Sequence, residues 1–188
     1  MTALADGIGY FAVFLGLFSY VSTKRKPIYI MKGVTDALWV VNLAMYGMYT
    51  ATFINCMNIG RTVVFYYREE KAWAGHRAWL ALFLSVAVVA PCLTWAGPIS
   101  LLPTFGSILC CIGFYLHNTL AVKWVLLPGN LIWMTYSILS HNPSAALGNI
   151  IVVISLTVGI VREMGKRRKK YIKFISKFKS FRNLGYSY

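Results

Sequence analysis

The stretch Trp79–Trp95, WLALFLSVAVVAPCLTW, is predominantly apolar and contains no charged residue. A helix needs about 20 predominantly apolar residues to cross a bilayer, with a lower limit of about 17, so this stretch predicts a transmembrane helix. The whole chain agrees, because 58% of its 188 residues are hydrophobic and only 13% are charged. A soluble domain carries about 25% charged residues. The composition therefore excludes an ordinary soluble domain, a disordered chain and a disulfide-stapled secreted module.

Three further apolar runs precede this stretch and three follow it: Gly7–Val21, Pro27–Met48, Ala51–Tyr67, Ile99–Leu116, Leu120–Leu139 and Ala145–Val161. Inside a bilayer every backbone N–H needs a partner within the protein, so each run is expected to form a helix. No Lys or Arg precedes the first run, which argues for a retained helix and against a cleaved signal peptide. The sequence therefore predicts an all-α, polytopic membrane protein with seven transmembrane helices.

The basic residues between the runs lie on alternate connections. The first, third and fifth connections carry or adjoin all of them, namely Lys24, Arg25, Lys26, Arg68, Lys71, Arg77 and Lys123. The second, fourth and sixth connections contain no Lys or Arg. Since cytoplasmic loops of membrane proteins are enriched in Lys and Arg, we expect an external N-terminus and a cytoplasmic C-terminus.

The chain resembles itself at a separation of 94 residues. Informative residues meet at this offset in the pairs Trp39 and Trp133, Asp36 and Asn130, Asn55 and Asn149, Phe11 and Phe105, and Arg68–Glu69 and Arg162–Glu163. We therefore predict two three-helix repeats, at residues 1–70 and 98–163, joined by a linker helix at residues 75–97. Because three is an odd number, the linker helix makes the second repeat parallel to the first. Such 3+1+3 parallel repeats occur in transporters whose substrate sites lie between the repeats.

Two tryptophans lie near the centres of the second and sixth predicted helices. Trp39 is separated from the outer end of its helix by a length of about 15 Å, at 1.5 Å per residue. That depth does not suit the aromatic belt at the headgroups. The two side chains could serve only to fill space between packed helices. The symmetric placement of Trp39 and Trp133 favours instead two indoles that line a cavity. There they would stack on a solute and donate a hydrogen bond.

Asn55 and Asn149 lie in the outer halves of the third and seventh predicted helices. A single membrane asparagine usually joins helices by hydrogen bonds. Here each one follows a central tryptophan by sixteen residues, and this matched spacing favours substrate binding. A carboxamide supplies both a donor and an acceptor, which suits a neutral, polyhydroxylated or amide-bearing solute.

Asp36 and Arg61 are charged residues within predicted spans, and such residues are functional candidates by default. They lie at similar depth, so a salt bridge between neighbouring helices is plausible, and Lys32 is also one turn from Asp36. A static ion pair and a role in gating or proton coupling are equally open. Asn130 takes the place of Asp36 in the second repeat, so we include it among the gating or coupling candidates.

Other polar residues are given lesser roles. Asn42 and Asn58 have no amide counterpart 94 residues later and are expected to form local hydrogen bonds. The four cysteines lie in apolar runs without CxxC spacing, which predicts buried small side chains. The three histidines are scattered, so we expect no metal site and no cofactor. No nucleophile–base pair or phosphate loop is present, and we expect no enzyme.

The segment 164–188 is strongly basic. Residues from Arg162 onward hold ten of the nineteen Lys and Arg and one acid. An apolar stripe recurs every three or four residues within KRRKKYIKFISKFKSFR, at Tyr171, Phe174, Ile175, Phe178 and Phe181. This pattern predicts an amphipathic helix that lies on anionic lipid at the membrane surface. The same position and stripe make nucleic-acid binding the weaker interpretation.

Taken together, these residues resemble the SWEET/PQ-loop transporter superfamily. The resemblance rests on the 3+1+3 plan and on the Trp and Asn pairs. Within the superfamily the chain is most similar to YgjV-type bacterial inner-membrane proteins, through Asn58–Thr62 (NIGRT), Leu101–Ile108 (LLPTFGSI) and the helix Asn149–Arg162. The resemblance implies alternating-access transport, with substrate held by Trp39, Trp133, Asn55 and Asn149. Other superfamily members move vitamins or amino acids, or act as cargo receptors.

These observations lead us to expect a multi-pass inner-membrane transporter of a small, mostly neutral polar solute, such as a sugar, nucleoside or vitamin. The alternative is a non-transporting receptor or scaffold whose basic tail binds lipid or recruits partners. The pattern is compatible with a monomer or an oligomer.

Overall fold

A computed structural model of the chain describes residues 2–21, 25–68, 70–116 and 118–184, with backbone only at 2, 18–21, 25–29, 65, 119 and 169–184. Seven α-helices follow one another, and we number them α1 Thr2–Val21, α2 Arg25–Met45, α3 Tyr49–Tyr67, α4 Ala78–Leu93, α5 Leu101–Tyr115, α6 Thr119–Leu139 and α7 Pro143–Leu184. Single 3₁₀ turns occur at Ala72–Gly75 and Pro98–Ser100. The described ranges contain no strand. The prediction of an all-α protein with seven helices is confirmed.

The last helix differs from its prediction. We expected a membrane helix to end near Val161 and a separate amphipathic helix to begin after it. Instead α7 is one continuous helix of 42 residues through Leu184. No proline or glycine–proline pair follows Glu163 to interrupt it. The apolar stripe of the tail, from Tyr171 to Phe181, and its expected lipid contact lie outside the described side chains.

Many polar side chains are buried together with the apolar core, and many large apolar side chains lie on the surface. The most deeply buried side chains include Asp36, Asn42, Ser107, Ser137, Asn142 and Ser144. Large apolar residues are exposed on most helices, among them Leu4, Leu93, Phe105, Ile154 and Val161. In water so much contiguous apolar surface would drive association, whereas lipid solvates it. This distribution is the one expected of a helical membrane protein.

The helices differ in how clearly they qualify as membrane spans. Among the described residues, Pro98–Tyr115 and Pro143–Arg168 are long and apolar enough to cross a membrane, and Ala3–Leu17 and Ala78–Leu93 are shorter apolar helices. The other three helices, α2, α3 and α6, contain Asp36, Arg61 and Asn130, which lower their mean hydropathy. Lys32 in α2 and Lys123 in α6 lower it further, so the residues that weaken the hydropathy signal include the functional candidates selected above.

The packing order places two groups of three helices side by side. In the first group α1 packs on α2 and α2 on α3, and in the second α5 packs on α6 and α6 on α7. Between the groups, α1 contacts α7 and α3 contacts α5, while α4 packs against α3 and α5. A buried apolar cluster that includes Ile54, Phe83 and Cys111 joins α3, α4 and α5. The two groups therefore meet along two faces with a space between them.

The turns that end α2 and α6 have the same backbone geometry. Met48 N–H donates to the Leu43 carbonyl at 2.9 Å, and Asn142 N–H, 94 residues later, donates to the Ser137 carbonyl at 3.0 Å. Together with the Gly47–Ala44 and His141–Ile138 bonds, these form a Schellman cap at each helix end. Such a cap requires a left-handed residue, which is Gly47 (φ 69°) in one turn and His141 (φ 50°) in the other.

The prediction of four buried cysteines is wrong for two of them. All four thiols are free, but only Cys111 is fully buried, Cys110 is half-buried, and Cys56 and Cys92 are exposed. An apolar run of a membrane helix has a lipid-facing side as well as an interior side, and a small apolar side chain suits both. Apolar context in the sequence therefore did not distinguish the two.

Candidate solute-binding cavity

A cavity of about 500 Å³ lies between the two three-helix groups. Its wall is formed by α1, α2 and α3 from one group and by α5, α6 and α7 from the other, while α4 contributes no lining residue. The volume is typical of small-molecule sites. The cavity brings together all seven residues selected from the sequence: Trp39, Asn55, Trp133, Asn149, Asp36, Arg61 and Asn130.

The two indoles are half-buried and lie in the cavity wall, which is inconsistent with an aromatic belt facing lipid. Each one rests on a glycine. A Cβ built on Gly148 would lie 3.2 Å from Cζ2 of Trp39, and one built on Gly106 would lie 2.8 Å from Cδ1 of Trp133. Both indoles also pack against one buried cluster that includes Leu43 and contains residues of both groups. Small neighbours on one side and a shared cluster on the other hold the rings in place.

Asn55 and Asn149 both direct the amide nitrogen toward their own helix. Asn55 Nδ2 donates to the Ala51 carbonyl at 3.0 Å, and Asn149 Nδ2 donates to the Ala145 carbonyl at 2.9 Å. Asn149 Nδ2 also contacts Ser137 Oγ at 3.0 Å, so it joins α7 to α6. Neither carboxamide oxygen accepts a hydrogen bond from any residue that the structure describes. Both oxygens are therefore available as acceptors for a solute.

Asp36 is paired within its own helix, with Lys32. The prediction of a salt bridge between Asp36 and Arg61 is therefore wrong. Asp36 is 1% exposed; it forms an ion pair with Lys32 and accepts a hydrogen bond from Thr62 Oγ1 at 3.3 Å. Lys32 lies one turn away and its long side chain follows the helix to the carboxylate. The matched residue in the second group, Asn130, likewise bonds one turn back, to the Leu126 carbonyl at 2.8 Å.

Arg61 extends from α3 toward α5. Its side chain is buried, with 5% of the residue exposed, and Nη1 lies 3.4 Å from Cys111 Sγ. The guanidinium carbon lies 4.7 Å from the centre of the Phe114 ring, a cation–π distance. Arg61 therefore occupies the contact between the two groups instead of pairing with Asp36.

Other polar residues line the cavity and were not selected from the sequence, among them Asn58, Ser107 and Lys123. Lys123 Nζ donates to the Gly159 carbonyl at 3.2 Å. Asn58 and Ser107 each present a buried oxygen that has no hydrogen-bond partner among the described residues. Asn58 lies one turn before Arg61, and this helical spacing was the available signal. Ser107 and Lys123 gave none, since serine is common in membrane helices and Lys123 resembled a loop residue.

Near the end of α2 and the start of α7, buried hydrogen bonds join four residues that we call the asparagine cluster: Ala5, through its carbonyl, and Asn42, Asn142 and Ser144. Asn142 Nδ2 donates to Asn42 Oδ1 at 2.8 Å, and Ser144 Oγ donates to Asn142 Oδ1 at 2.9 Å. Asn42 Nδ2 donates to the Ala5 carbonyl at 2.7 Å. The expectation that Asn42 bonds locally is wrong, because it joins α1, α2 and α7. Lys32 and Lys123 lie toward the opposite ends of their helices.

The comparisons with known proteins give one match. A family model described as bacterial inner membrane protein, Imp-YgjV, matches residues 3–167 of the chain. This match confirms the resemblance to YgjV-type proteins. No curated protein and no solved structure matches the chain.

Proposed function

The chain belongs to the Imp-YgjV family of bacterial inner membrane proteins, and we propose that it transports a small polar solute by alternating access. The observation that carries this proposal is the cavity that unites Trp39, Trp133, Asn55 and Asn149, which lie far apart in the sequence. The indoles offer flat apolar faces for stacking, and the carboxamide oxygens offer acceptors. Such a wall suits a solute with both a flat and a hydrogen-bonding part.

The architecture belonging to this proposal is a 3+1+3 arrangement of seven spans, as in the SWEET/PQ-loop superfamily. Two observations support a pseudo-two-fold axis. The equivalent residues Met48 and Asn142 touch each other, with Asn142 Nδ2 3.6 Å from Met48 Sδ, as expected of matched residues on an axis. The α1–α7 contact has its counterpart in the α5–α3 contact, which the same axis would generate.

In this proposal the asparagine cluster, at the end of α2 and the start of α7, is the closed end that alternating access requires. If the N-terminus is external, as the basic connections favour, the turns that end α2 and α6 face outward and the cavity faces the cytoplasm. A hydrogen bond of this kind contributes about 1 kcal/mol net. Parting the few bonds between α2 and α7 would therefore cost a few kcal/mol, a typical gap between two conformations in exchange.

The central test is uptake by proteoliposomes that contain the full chain, with a panel of labelled sugars and nucleosides. Saturable uptake is expected, and Trp133→Ala should abolish it by removing one stacking face. Trp124→Ala is the matched control, because Trp124 is on the same helix, is 52% exposed and does not line the cavity. Equal loss in both variants, or unchanged uptake in Trp133→Ala, would contradict the proposed site.

One observation favours a second candidate, a receptor or scaffold that acts through its basic tail. α7 continues without a break through residues 169–184, beyond the apolar stretch that ends at Arg168, and this extension would bring its Lys and Arg close to anionic lipid. Truncation after Arg168 separates the candidates. A transporter keeps its affinity for the solute, whereas a scaffold loses its partner.

A further inference from the structure

Positive charge predominates among the side chains that line the cavity. The described lining residues include three cations, Lys32, Arg61 and Lys123, and one carboxylate, Asp36. Asp36 is already paired with Lys32, so its charge is compensated. The uncompensated charges are those of Arg61 and Lys123.

Arg61 is the informative one, because it is buried and lacks an anion. Within the described part of the chain no carboxylate lies within ion-pair distance of its guanidinium, and its one hydrogen-bond acceptor is the thiol Sγ of Cys111. A thiol is a weak acceptor, and a guanidinium has five N–H donors and keeps its charge in proteins. An isolated buried charge is costly. The cavity therefore presents a cationic donor whose natural acceptor is absent from the described protein.

Two buried oxygens without partners lie on the same pair of helices. Asn58 precedes Arg61 by one turn on α3, and Ser107 precedes Cys111 by one turn on α5. Asn58 Oδ1 and Ser107 Oγ have almost no surface that water can reach, inside the cavity or outside it, and have no partner among the described residues; Ser107 is 1% exposed. Native proteins leave few buried polar atoms unsatisfied. The α3–α5 contact thus holds a cation, a hydroxyl and a carbonyl oxygen in one stretch of wall.

We propose that the solute is a small organic anion whose carboxylate or phosphate group binds Arg61. This inference rests on the proposed transport function and specifies its substrate class. A guanidinium binds both groups through parallel N–H bonds. The two indoles, which line the same cavity, stack on the body of the solute. The charge differs from the mostly neutral solute that the sequence led us to expect.

Lys123 adds attraction along the cavity. Its ammonium group donates a hydrogen bond to the Gly159 carbonyl. The partial negative charge of a carbonyl oxygen does not neutralise the full positive charge of the ammonium. A cation in a low-dielectric cleft raises the local concentration of anions. Lys123 and Arg61 therefore act on the same class of solute at two points of the cavity.

The test compares anions with neutral counterparts of nearly the same shape in proteoliposomes of phosphatidylcholine. The carboxylate arm uses para-hydroxybenzoate against para-hydroxybenzamide, and the phosphate arm uses inositol monophosphate against inositol. In at least one arm we expect the anion to half-saturate uptake at a concentration about tenfold or more below that of its counterpart, as the loss of a charged partner predicts. The arm that responds identifies the anionic group.

Variants then assign the effect to Arg61. Arg61→Gln should raise the half-saturating concentration of the anion by about thirtyfold or more. Arg61→Lys keeps the charge but loses the two parallel N–H donors of the guanidinium, so its effect should be smaller. Arg162→Gln is the control, because it removes one positive charge from an exposed position outside the cavity. Without solute, Arg61→Gln should melt at no lower temperature than the parent, since an uncompensated buried charge is removed.

The outcomes separate this inference from the transport function. Preference for the neutral member in both arms, or an unchanged anion response in Arg61→Gln, would overturn the anion proposal and leave transport standing. If no anion is taken up and none raises the melting temperature, the anion proposal is also wrong. The transport proposal fails separately, only when the sugar and nucleoside panel shows no saturable uptake either.

Discussion

The two three-helix groups share a framework and differ in charge. Both end their second helix with the same Schellman cap, and both place a tryptophan and an asparagine in the cavity wall. The first group adds Lys32, Asp36 and Arg61, where the second has Leu126, Asn130 and Ser155. The shared residues shape the cavity, whereas the residues that differ decide its charge. The pseudo-symmetry therefore accounts for the shape of the cavity, but it does not predict the charge of the solute that binds there.

The largest expected effect on stability comes from replacing Asp36 of the first group by asparagine, the residue found at the matched position of the second group. Asp36→Asn leaves Lys32 without its partner, and we expect a loss of about 3 kcal/mol in the free energy of unfolding, because breaking a buried pair is strongly destabilising. The Lys32 side chain is 42% exposed, which holds the effect near the lower end of the usual range. Denaturant titration in mixed micelles measures it.

The double variant Lys32→Leu plus Asp36→Asn reproduces the pattern of the second group and serves as the control. Replacing both partners of a buried pair is often neutral, so we expect a change below about 1 kcal/mol. If the double variant is as unstable as the single one, the ion pair does not account for the difference between the groups.

A smaller effect is expected where α1 meets the asparagine cluster. A Cβ at Gly9 would overlap Ser144 Oγ and lie 2.7 Å from Asn42 Nδ2, whereas the matched residue of the second group is Pro103. Gly9→Ala should therefore cost about 2 kcal/mol by overpacking. Gly7→Ala is the control on the same helix, because nothing lies within 4 Å of its Cβ. Equal stability of the two variants would show that the contact between Gly9 and Ser144 has room for a methyl group, which would contradict the prediction.

The smallest effect concerns the two left-handed residues of the caps. Gly47→Ala should lower stability by about 1 kcal/mol, since a Cβ is strained at positive φ. His141→Gly should raise it by up to about 1 kcal/mol by removing that strain. Opposite shifts in melting temperature would support a common backbone geometry, and shifts of the same sign would contradict it.

Much of the site was predictable from residue types and their offset. Trp39 and Trp133 lie at equivalent positions of their helices, 94 residues apart. Polar residues within apolar helices are expected to face other polar groups, because contact with lipid is costly. The partners were not predictable. Asp36 pairs with Lys32 instead of Arg61, and Asn42 bonds to a residue 100 positions away. Such choices depend on how each helix is rotated about its axis, which hydropathy does not report.

The amino-acid order alone was sufficient for the number and approximate bounds of the helices, because the cost of burying a polar group in lipid is summed locally along each segment. It was also sufficient to select residues that line one cavity. Helix packing determined that Arg61 lies buried opposite Cys111, with no carboxylate of the described residues within ion-pair distance, and that Asn42 bonds to Asn142 and Ser144. Those features arise from contacts between distant segments, whose energies depend on three-dimensional distance and not on neighbours along the chain.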